Sequence, residues 1–184
     1  MLPLETQLAQ AGLELTGAGV RLSTFGPHWL HDSPLLEDFS LEEADIVGAG
    51  LLGARARAGQ ALVREGDVGD WMLLVLSGTV DVTRHVGQGG ERARLAVVRA
   101  GAAVGEMSML DGEPRYATCT AIDEVSFAVL TRQCVSLLIR DHPAVGAKLL
   151  VKITQMLAQR LRNTTHQLTR LLEQRSADGA EHAL

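Results

Sequence analysis

Between Ala54 and Leu130 the sequence reads as a series of short strands that change direction every several residues. Runs of strand-forming residues such as WMLLVLS and TVDVTRHV are separated by turns at Glu65-Gly66-Asp67, Ser77-Gly78 and Gly87 to Gly90. Glycine adopts backbone conformations at such turns that other residues avoid. Many short strands with glycine-rich turns are typical of an antiparallel roll or barrel and not of a parallel sheet. This pattern therefore predicts a fold of the α+β class that is mainly β.

Helical signals flank the predicted roll on both sides. Ser40 is followed three residues later by Glu43, which is the spacing of a capping box and predicts the start of a helix. Thr131 is placed to cap a short helix after the last strand. A longer helical pattern then runs from Ala144 to about Arg175 without an internal proline.

With 184 residues, the chain has room for one domain and some additional elements. We divide it into an N-terminal extension (1–32), the β-roll (33–140), the long C-terminal helix (141–175) and a disordered tail (176–184).

The apolar positions of the long helix form one continuous seam with spacings of mostly three and four. They are Leu150, Ile153, Leu157, Leu161, Leu168 and Leu171, with Thr164 between. A helix of about 30 residues is roughly 45 Å long, which is more than a small domain can cover. We therefore expect its second half to pair with the same helix of a second copy, giving a homodimer through residues 144–175. Packing within one subunit is the alternative.

Charge and hydropathy argue against several classes of function. The formal net charge of −5 argues against a general nucleic-acid binder. No apolar run reaches the length of a membrane span, so we expect a cytoplasmic protein without a membrane partner. The histidines are scattered, at positions 28, 31, 85, 142, 166 and 182, and no close pair lies on a strand. A metal site, and with it an enzyme of the metal-dependent cupin type, is therefore not expected.

The stretch AVGEMSMLDGEPRYAT, residues 103–118, has the chemistry of a ligand site. Gly105 opens a short helix, where backbone N–H groups can bind an anion that glycine allows to approach closely. Arg115 supplies a planar guanidinium that suits two anionic oxygens. The Glu106 carboxylate only accepts hydrogen bonds, so it suits a neighbouring hydroxyl. A phosphate beside a hydroxyl describes a nucleotide.

This stretch resembles the phosphate-binding cassette of the cyclic nucleotide-binding domain family, whose pattern reads approximately F-G-E-x-[AS]-L…P-R-x-A. The matching positions are Gly105, Glu106, Ser108, Pro114, Arg115 and Ala117. The resemblance extends over residues 33–175 and includes the run REGDVGDWMLLVLSGTVDV. It implies a jelly-roll-like β-roll, a double-stranded β-helix, in which Arg115 neutralises the cyclic phosphate and Glu106 accepts the ribose 2′-hydroxyl. The N–H groups of Gly105 to Met107 would complete the phosphate cradle.

Two cassette positions depart from the family pattern. Val104 stands where the family often has Phe, and Tyr116 stands where the family usually has a small residue after the arginine. The Tyr116 ring either stacks on the base or narrows the pocket. Met107, Met109 and Leu110 are expected to face the interior of the roll.

In this family the long C-terminal helix closes over the base. The segment AQRLRNTT offers two alternatives: counting from Pro143 selects Arg160, and matching the text selects Thr164 and Thr165. Both alternatives stay open at this point. The complete predicted ligand-binding set is Val104, Gly105, Glu106, Met107, Arg115, Tyr116, Ala117, Arg160, Thr164 and Thr165.

The resemblance implies a non-enzymatic sensor of cAMP or cGMP that uses no cofactor and signals through its C-terminal helix, as a homodimer or to a downstream protein. One alternative is a transcription regulator of the catabolite-activator type, or a fragment of one. Such regulators append a winged helix-turn-helix after the long helix, and fewer than ten residues follow Arg175, so DNA binding is not expected unless the chain is a fragment. The other alternative is a degenerate or retuned module, either a ligand-free scaffold or a binder of a cyclic dinucleotide.

Overall fold

The architecture comes from a computed structural model that describes residues 3–87 and 90–181. The helices are α1 Leu4–Gln10, α2 Gly26–Asp32, α3 Leu41–Ala49, α4 Glu106–Asp111, α5 Arg132–Asp141 and α6 Pro143–Glu181. The strands are β1 Glu14–Ala18, β2 Leu52–Ala56, β3 Ala61–Val63, β4 Trp71–Ser77, β5 Thr79–Val86, β6 Glu91–Arg99, β7 Ala103–Val104, β8 Thr118–Ala121 and β9 Val125–Thr131. A 3-10 turn covers Leu22–Phe25. The prediction of an α+β fold that is mainly β is confirmed.

The strands form two antiparallel sheets. One has the order β1-β2-β9-β4-β7 and the other has the order β3-β8-β5-β6. Apolar side chains from both sheets share one buried cluster, which includes Leu62, Val63, Leu73, Val75, Val80, Cys119 and Phe127. This cluster is the interior of the roll.

The apolar run of β4 is explained by burial of the strand on both faces. Trp71, Leu73 and Val75 point into the roll, whereas Met72, Leu74 and Leu76 belong to a second buried cluster on the opposite face. Successive side chains of a strand alternate between faces, so a strand covered on both sides becomes continuously apolar. The second cluster is completed by the helices, through residues such as Leu36, Val47, Leu138, Leu149 and Ile153.

Both predicted caps are confirmed. The Ser40 hydroxyl accepts from the Glu43 backbone N–H, and the Glu43 carboxylate accepts from the Ser40 backbone N–H, which is a complete capping box. The Thr131 hydroxyl accepts from the Cys134 N–H at the start of α5. These local signals therefore fixed where α3 and α5 begin.

The long helix α6 has 39 residues, which corresponds to about 58 Å. Its first half is anchored, since Val145, Leu149 and Ile153 are buried in the helical cluster. The helix continues to Glu181, so residues 176–181 are helical where the sequence predicts a disordered tail. The rest of that prediction, residues 182–184, lies outside the described residues.

The N-terminal extension is more ordered than its glycines suggest. Helix α1 is followed by β1, which pairs antiparallel with β2, with Glu14 opposite Arg55. Leu8 and Leu13 are buried against the roll cluster. Within residues 3–87 and 90–181, we find no helix with the length and apolar character that crossing a bilayer requires.

Candidate functional site

The predicted cassette folds as a tight unit between the roll and α6. β7 pairs with β4, with Val104 opposite Leu73, and the chain then turns at Gly105 into α4. Gly105 has φ +89°, and a Cβ at this position would lie 2.8 Å from Arg115 Nη1. Glycine is therefore required here both by the backbone and by the close approach of the arginine. A second left-handed glycine, Gly112, ends α4.

Arg115 is buried beside the cassette, with 4% of its surface exposed. Its Nη1 donates to the Gly105 carbonyl at 3.0 Å, and its guanidinium lies 4.3 Å from the centre of the Trp71 ring. Its Nη2 is buried and finds no hydrogen-bond partner among the described residues. Burial lowers the pKa of Arg115, and the nearby Cys119, Asp67 and other acidic groups oppose that shift. An arginine stays protonated in proteins, so the site holds a buried cation with an unused donor.

Glu106 is fully buried at the first position of α4. Its Oε1 pairs with Arg160 Nη1, while its Oε2 is buried and has no hydrogen-bond partner within residues 3–87 and 90–181. A buried carboxylate oxygen without a donor is costly. The cassette thus presents one unused donor, on Arg115, and one unused acceptor, on Glu106, which suits a ligand that carries an anionic oxygen and a hydroxyl.

The long helix reaches the cassette through Arg160. In addition to the Glu106 pair, Arg160 Nη2 donates to the Ala103 carbonyl at 2.6 Å. Thr164 and Thr165 are exposed, and their hydroxyls donate to the carbonyls of Arg160 and Leu161 in their own helix, each at 2.9 Å. Of the two alternatives for this helix, the structure brings Arg160 to the cassette and leaves the two threonines away from it.

Arg132 holds the opposite end of α4. Its Nε donates to the Met109 carbonyl at 2.6 Å, and its Nη2 lies 3.5 Å from the Ser108 carbonyl. Carbonyl groups at a helix end lack intrahelical partners, and an arginine satisfies them well. The cassette helix is therefore fixed by α6 near its start and by α5 at its end.

The apolar cassette residues do not lie where the sequence predicts them. Met109 is buried, but in the second cluster, on the helical side of β4, whereas Met107 and Leu110 are 45% and 43% exposed. The prediction that these three side chains face the roll interior is wrong. The reason is that α4 spans only six residues, so a single narrow face can point inward.

The other predicted site residues flank this core. Val104 is buried and Ala117 is half-buried. Tyr116 is 52% exposed, with the Arg84 guanidinium 3.7 Å from the centre of its ring. The ring therefore lies outside the buried part of the site.

Sequence reasoning missed Trp71, Arg132 and Arg84. Trp71 stood in a run that the sequence analysis read only as strand, and its alternation with Leu73 and Val75 was the available signal for an inward direction. Arg84 and Arg132 carried no such signal, because their partners are distant in sequence. Cys119 also lies in the roll interior, where burial raises the pKa of its thiol to about 12.

Comparison with known proteins agrees with this geometry. The family model described as "Cyclic nucleotide-binding domain" matches residues 54–142. The chain is similar to the "Cyclic AMP receptor protein" of Thermus thermophilus, with 31% identity over 153 residues, which cover 83% of this chain and 68% of that protein. A crystal structure of a cyclic nucleotide-binding domain from Methylobacillus flagellatus is 32% identical, with a TM-score of 0.72, over 84% of this chain and 86% of that one.

A further relative is the "CRP-like cAMP-activated global transcriptional regulator" of Mycobacterium tuberculosis, which is 32% identical over 114 residues. The matched region covers 62% of this chain and 49% of that regulator, so the similarity spans about half of the regulator's length.

Proposed function

Because the chain belongs to the cyclic nucleotide-binding domain family, we propose that it is a non-enzymatic sensor of a 3′,5′-cyclic nucleotide, with cAMP as the preferred ligand. The observation that carries the proposal is the pair of buried, unused polar atoms in the cassette, Arg115 Nη2 and Glu106 Oε2. A cyclic phosphate supplies acceptor oxygens for the arginine, and the ribose 2′-hydroxyl supplies a donor for the carboxylate. Relatives named for cAMP match 83% and 62% of this chain, whereas relatives named as cGMP-dependent kinases match 42% of it, and this difference supports cAMP over cGMP.

Tyr116 belongs to the base side of the site in this proposal. Arg84 covers one face of its ring, and more than half of the residue is exposed. An aromatic face is a favourable surface for a purine, whereas a ring outside the buried core does not obstruct the phosphate. We assign Tyr116 to stacking on the base and not to exclusion of cAMP.

The output of the sensor passes through α6. Arg160 contacts Glu106, the proposed ribose ligand, so a change in the surroundings of that carboxylate changes the contact that positions the helix. Binding can only shift a conformational equilibrium by its difference in affinity for the two states, and this contact is where such a difference arises. The exposed leucines beyond Arg160 would pass the shift to a second copy through residues 144–175, or to a downstream protein.

A transcription regulator is the second candidate, which the mycobacterial relative favours. In that case the sensor described above would control an additional DNA-binding segment.

Isothermal titration calorimetry tests the proposal. The wild-type protein should bind cAMP most tightly, with cGMP weaker and cyclic di-GMP absent. Arg115→Ala should weaken binding by at least about 100-fold, because it removes a buried charged donor. Tyr116→Ser should weaken it several-fold if the ring stacks on the base. Arg94→Ala, which removes an exposed arginine paired with Asp81, is the matched control and should bind normally.

Absence of binding to all three nucleotides by a folded wild-type protein would refute the sensor function and favour a ligand-free scaffold. Equal affinity of Arg115→Ala and wild type would refute the assignment of the phosphate to the cassette.

A further inference from the structure

Two buried nitrogen donors lie beside the backbone of Gly69. In the part of the chain that the structure describes, neither Arg115 Nη2 nor Trp71 Nε1 has a hydrogen-bond partner. A Cβ built on Gly69 would lie 2.8 Å from Arg115 Nη2 and 3.1 Å from Trp71 Nε1. The two donors therefore lie close enough to each other for one acceptor group to reach both, since such hydrogen bonds span about 2.7–3.2 Å.

The position of Trp71 makes its unused donor unusual. The residue is 6% exposed and points into the roll, with the Arg115 guanidinium over its ring. A buried donor without an acceptor costs free energy, and native proteins keep few of them. The indole N–H can only donate, so its missing partner is an oxygen acceptor. Because a buried guanidinium lies beside it, that acceptor is expected to be anionic.

We propose that Trp71 is a second phosphate-binding residue of this site, donating its indole N–H to an exocyclic oxygen of the cyclic phosphate that Arg115 neutralises. The proposal rests on the proposed function, because it assigns a contact to the same ligand. Neither the cassette pattern nor the fold alone identifies Trp71, which precedes the cassette by more than thirty residues and lies on β4. Glycine at position 69 allows both donors to lie this close to the backbone, because a side chain there would crowd them.

Trp29 provides an internal comparison. Its Nε1 is also buried without a partner among the described residues, but its ring stacks on Phe25 with centroids 4.7 Å apart, in the α2 region. In the same part of the chain no guanidinium lies over the Trp29 ring, whereas Arg115 lies over the Trp71 ring. Trp29→Phe is therefore a matched control, because it also deletes one buried indole N–H but does so away from the cassette.

The first test is calorimetric titration of cAMP into the wild type, Trp71→Phe and Trp29→Phe. Phenylalanine keeps an aromatic face for Arg115 and removes only the donor and some volume. We expect Trp71→Phe to bind about tenfold more weakly, as is typical for loss of a hydrogen bond to a charged group, and Trp29→Phe to bind like the wild type. Equal affinity of all three proteins would overturn the assignment of Trp71.

The second test separates a direct contact from a packing role. The two phosphorothioate diastereomers of cAMP each replace one exocyclic oxygen by sulfur, which is a poorer hydrogen-bond acceptor. If Trp71 donates to one oxygen, the wild type should discriminate between the diastereomers more strongly than Trp71→Phe does. The same ratio of affinities in both proteins would show that Trp71 supports Arg115 only by packing, and would overturn the proposal.

A third measurement needs no substitution at Trp71. In protein labelled with ¹⁵N-tryptophan, the indole N–H resonance of Trp71 should move downfield when cAMP is added, while that of Trp29 stays in place. Trp29→Phe assigns the two resonances. An unmoved Trp71 resonance in a sample that binds cAMP contradicts the proposal and leaves the sensor function intact, whereas a wild type that binds no nucleotide refutes the sensor function itself.

Discussion

The two halves of α6 are held by opposite kinds of contact. Up to Arg160 the helix is attached to the body of the domain by buried apolar residues, including Leu149 and Ile153. It is also attached by ion pairs of Lys148 with Glu43 and of Lys152 with Glu37 and Asp38. Beyond Arg160 the apolar residues point outward, and Leu161, Leu168 and Leu171 are 69%, 56% and 57% exposed.

This difference places the contact between Arg160 and the cassette at the boundary between the anchored half of α6 and the exposed half. The apolar residues of the half before Arg160 are buried within one chain. The half beyond Arg160, the outer half, exposes apolar surface, which favours binding of a partner. Arg160 is the last residue of the anchored half that we find bonded to the cassette. A structural change in the cassette would therefore act on α6 through Arg160, at the point where the helix extends beyond the domain.

The largest expected effect is on the outer half. Replacing Leu168 and Leu171 with Glu should dissociate the proposed homodimer, weakening it by at least about 1000-fold, or about 4 kcal/mol, because two charges would have to be buried in the seam. Sedimentation velocity over a concentration series measures this change. Nucleotide binding to the resulting monomer should persist, since the residues proposed to bind the phosphate and the ribose lie within one chain.

Asn163→Glu with His166→Glu is the matched control for the seam. It adds the same two negative charges on the opposite side of the helix, so the dimer should persist. A wild-type protein that is monomeric at high concentration would contradict the proposal that the outer half of α6 forms a dimer. A Leu168→Glu, Leu171→Glu variant that stays dimeric would contradict it as well.

A smaller effect is expected at the boundary itself. Arg160→Ala leaves the fully buried Glu106 without its cation and should lower the free energy of unfolding by about 2 kcal/mol, less than for a completely buried pair because Arg160 is 44% exposed. Arg162→Ala removes a nearby exposed arginine whose Nη2 donates to Gln159, and should change little. Urea denaturation measures the free energy of unfolding of both variants. An equal decrease in the two would show that Arg160 is not the residue that attaches α6 to the cassette.

The smallest effect concerns the ion pairs of the anchored half. Hydrogen bonds from Lys152 and Lys148 hold the pKa of Asp38 and of Glu43 below their ordinary values of 3.8 and 4.5. Groups with a depressed pKa in the folded state stabilise it at a pH above the unfolded value, and this contribution is lost as the pH falls through the folded value. The pairs should therefore weaken below about pH 4.5.

The double variant Asp38→Asn with Glu43→Gln tests this pH dependence. Its urea midpoint should lie below that of the wild type at pH 6, and the two midpoints should converge as the pH falls below 4. A constant difference between them across this range would show that the two carboxylates do not contribute through their charge.

The sequence allowed much of the fold to be predicted, because its strongest signals are local. The capping box at Ser40 and the cap at Thr131 depend on residues three apart, and the Gly105 turn depends on one residue. β1 was not predicted because all five of its residues are exposed and give no alternation. It forms a strand because the edge of β2 is available for pairing.

In the candidate site too, contacts within one short segment could be predicted and contacts between distant segments could not. Gly105, Glu106 and Arg115 could be placed together because they lie within one short segment. The choice between Arg160 and the threonines could not be made, since one turn of register along a 39-residue helix depends on how α6 packs against the body. Arg132 was missed for a related reason, because it contacts Met109 of α4, which lies 23 residues away in sequence.

The burial of Arg115 and Glu106 also has a kinetic consequence. Both groups are shielded from solvent, and Arg160 and Arg132 hold the cassette helix near its two ends. We therefore expect entry of the proposed ligand to need these contacts to open, which would reduce its association rate to the diffusional rate multiplied by the fraction of time spent open. Exit crosses the same barrier, so the bound state persists after the nucleotide concentration falls. The proposed sensor would then average its signal over time and respond to sustained changes more than to brief ones.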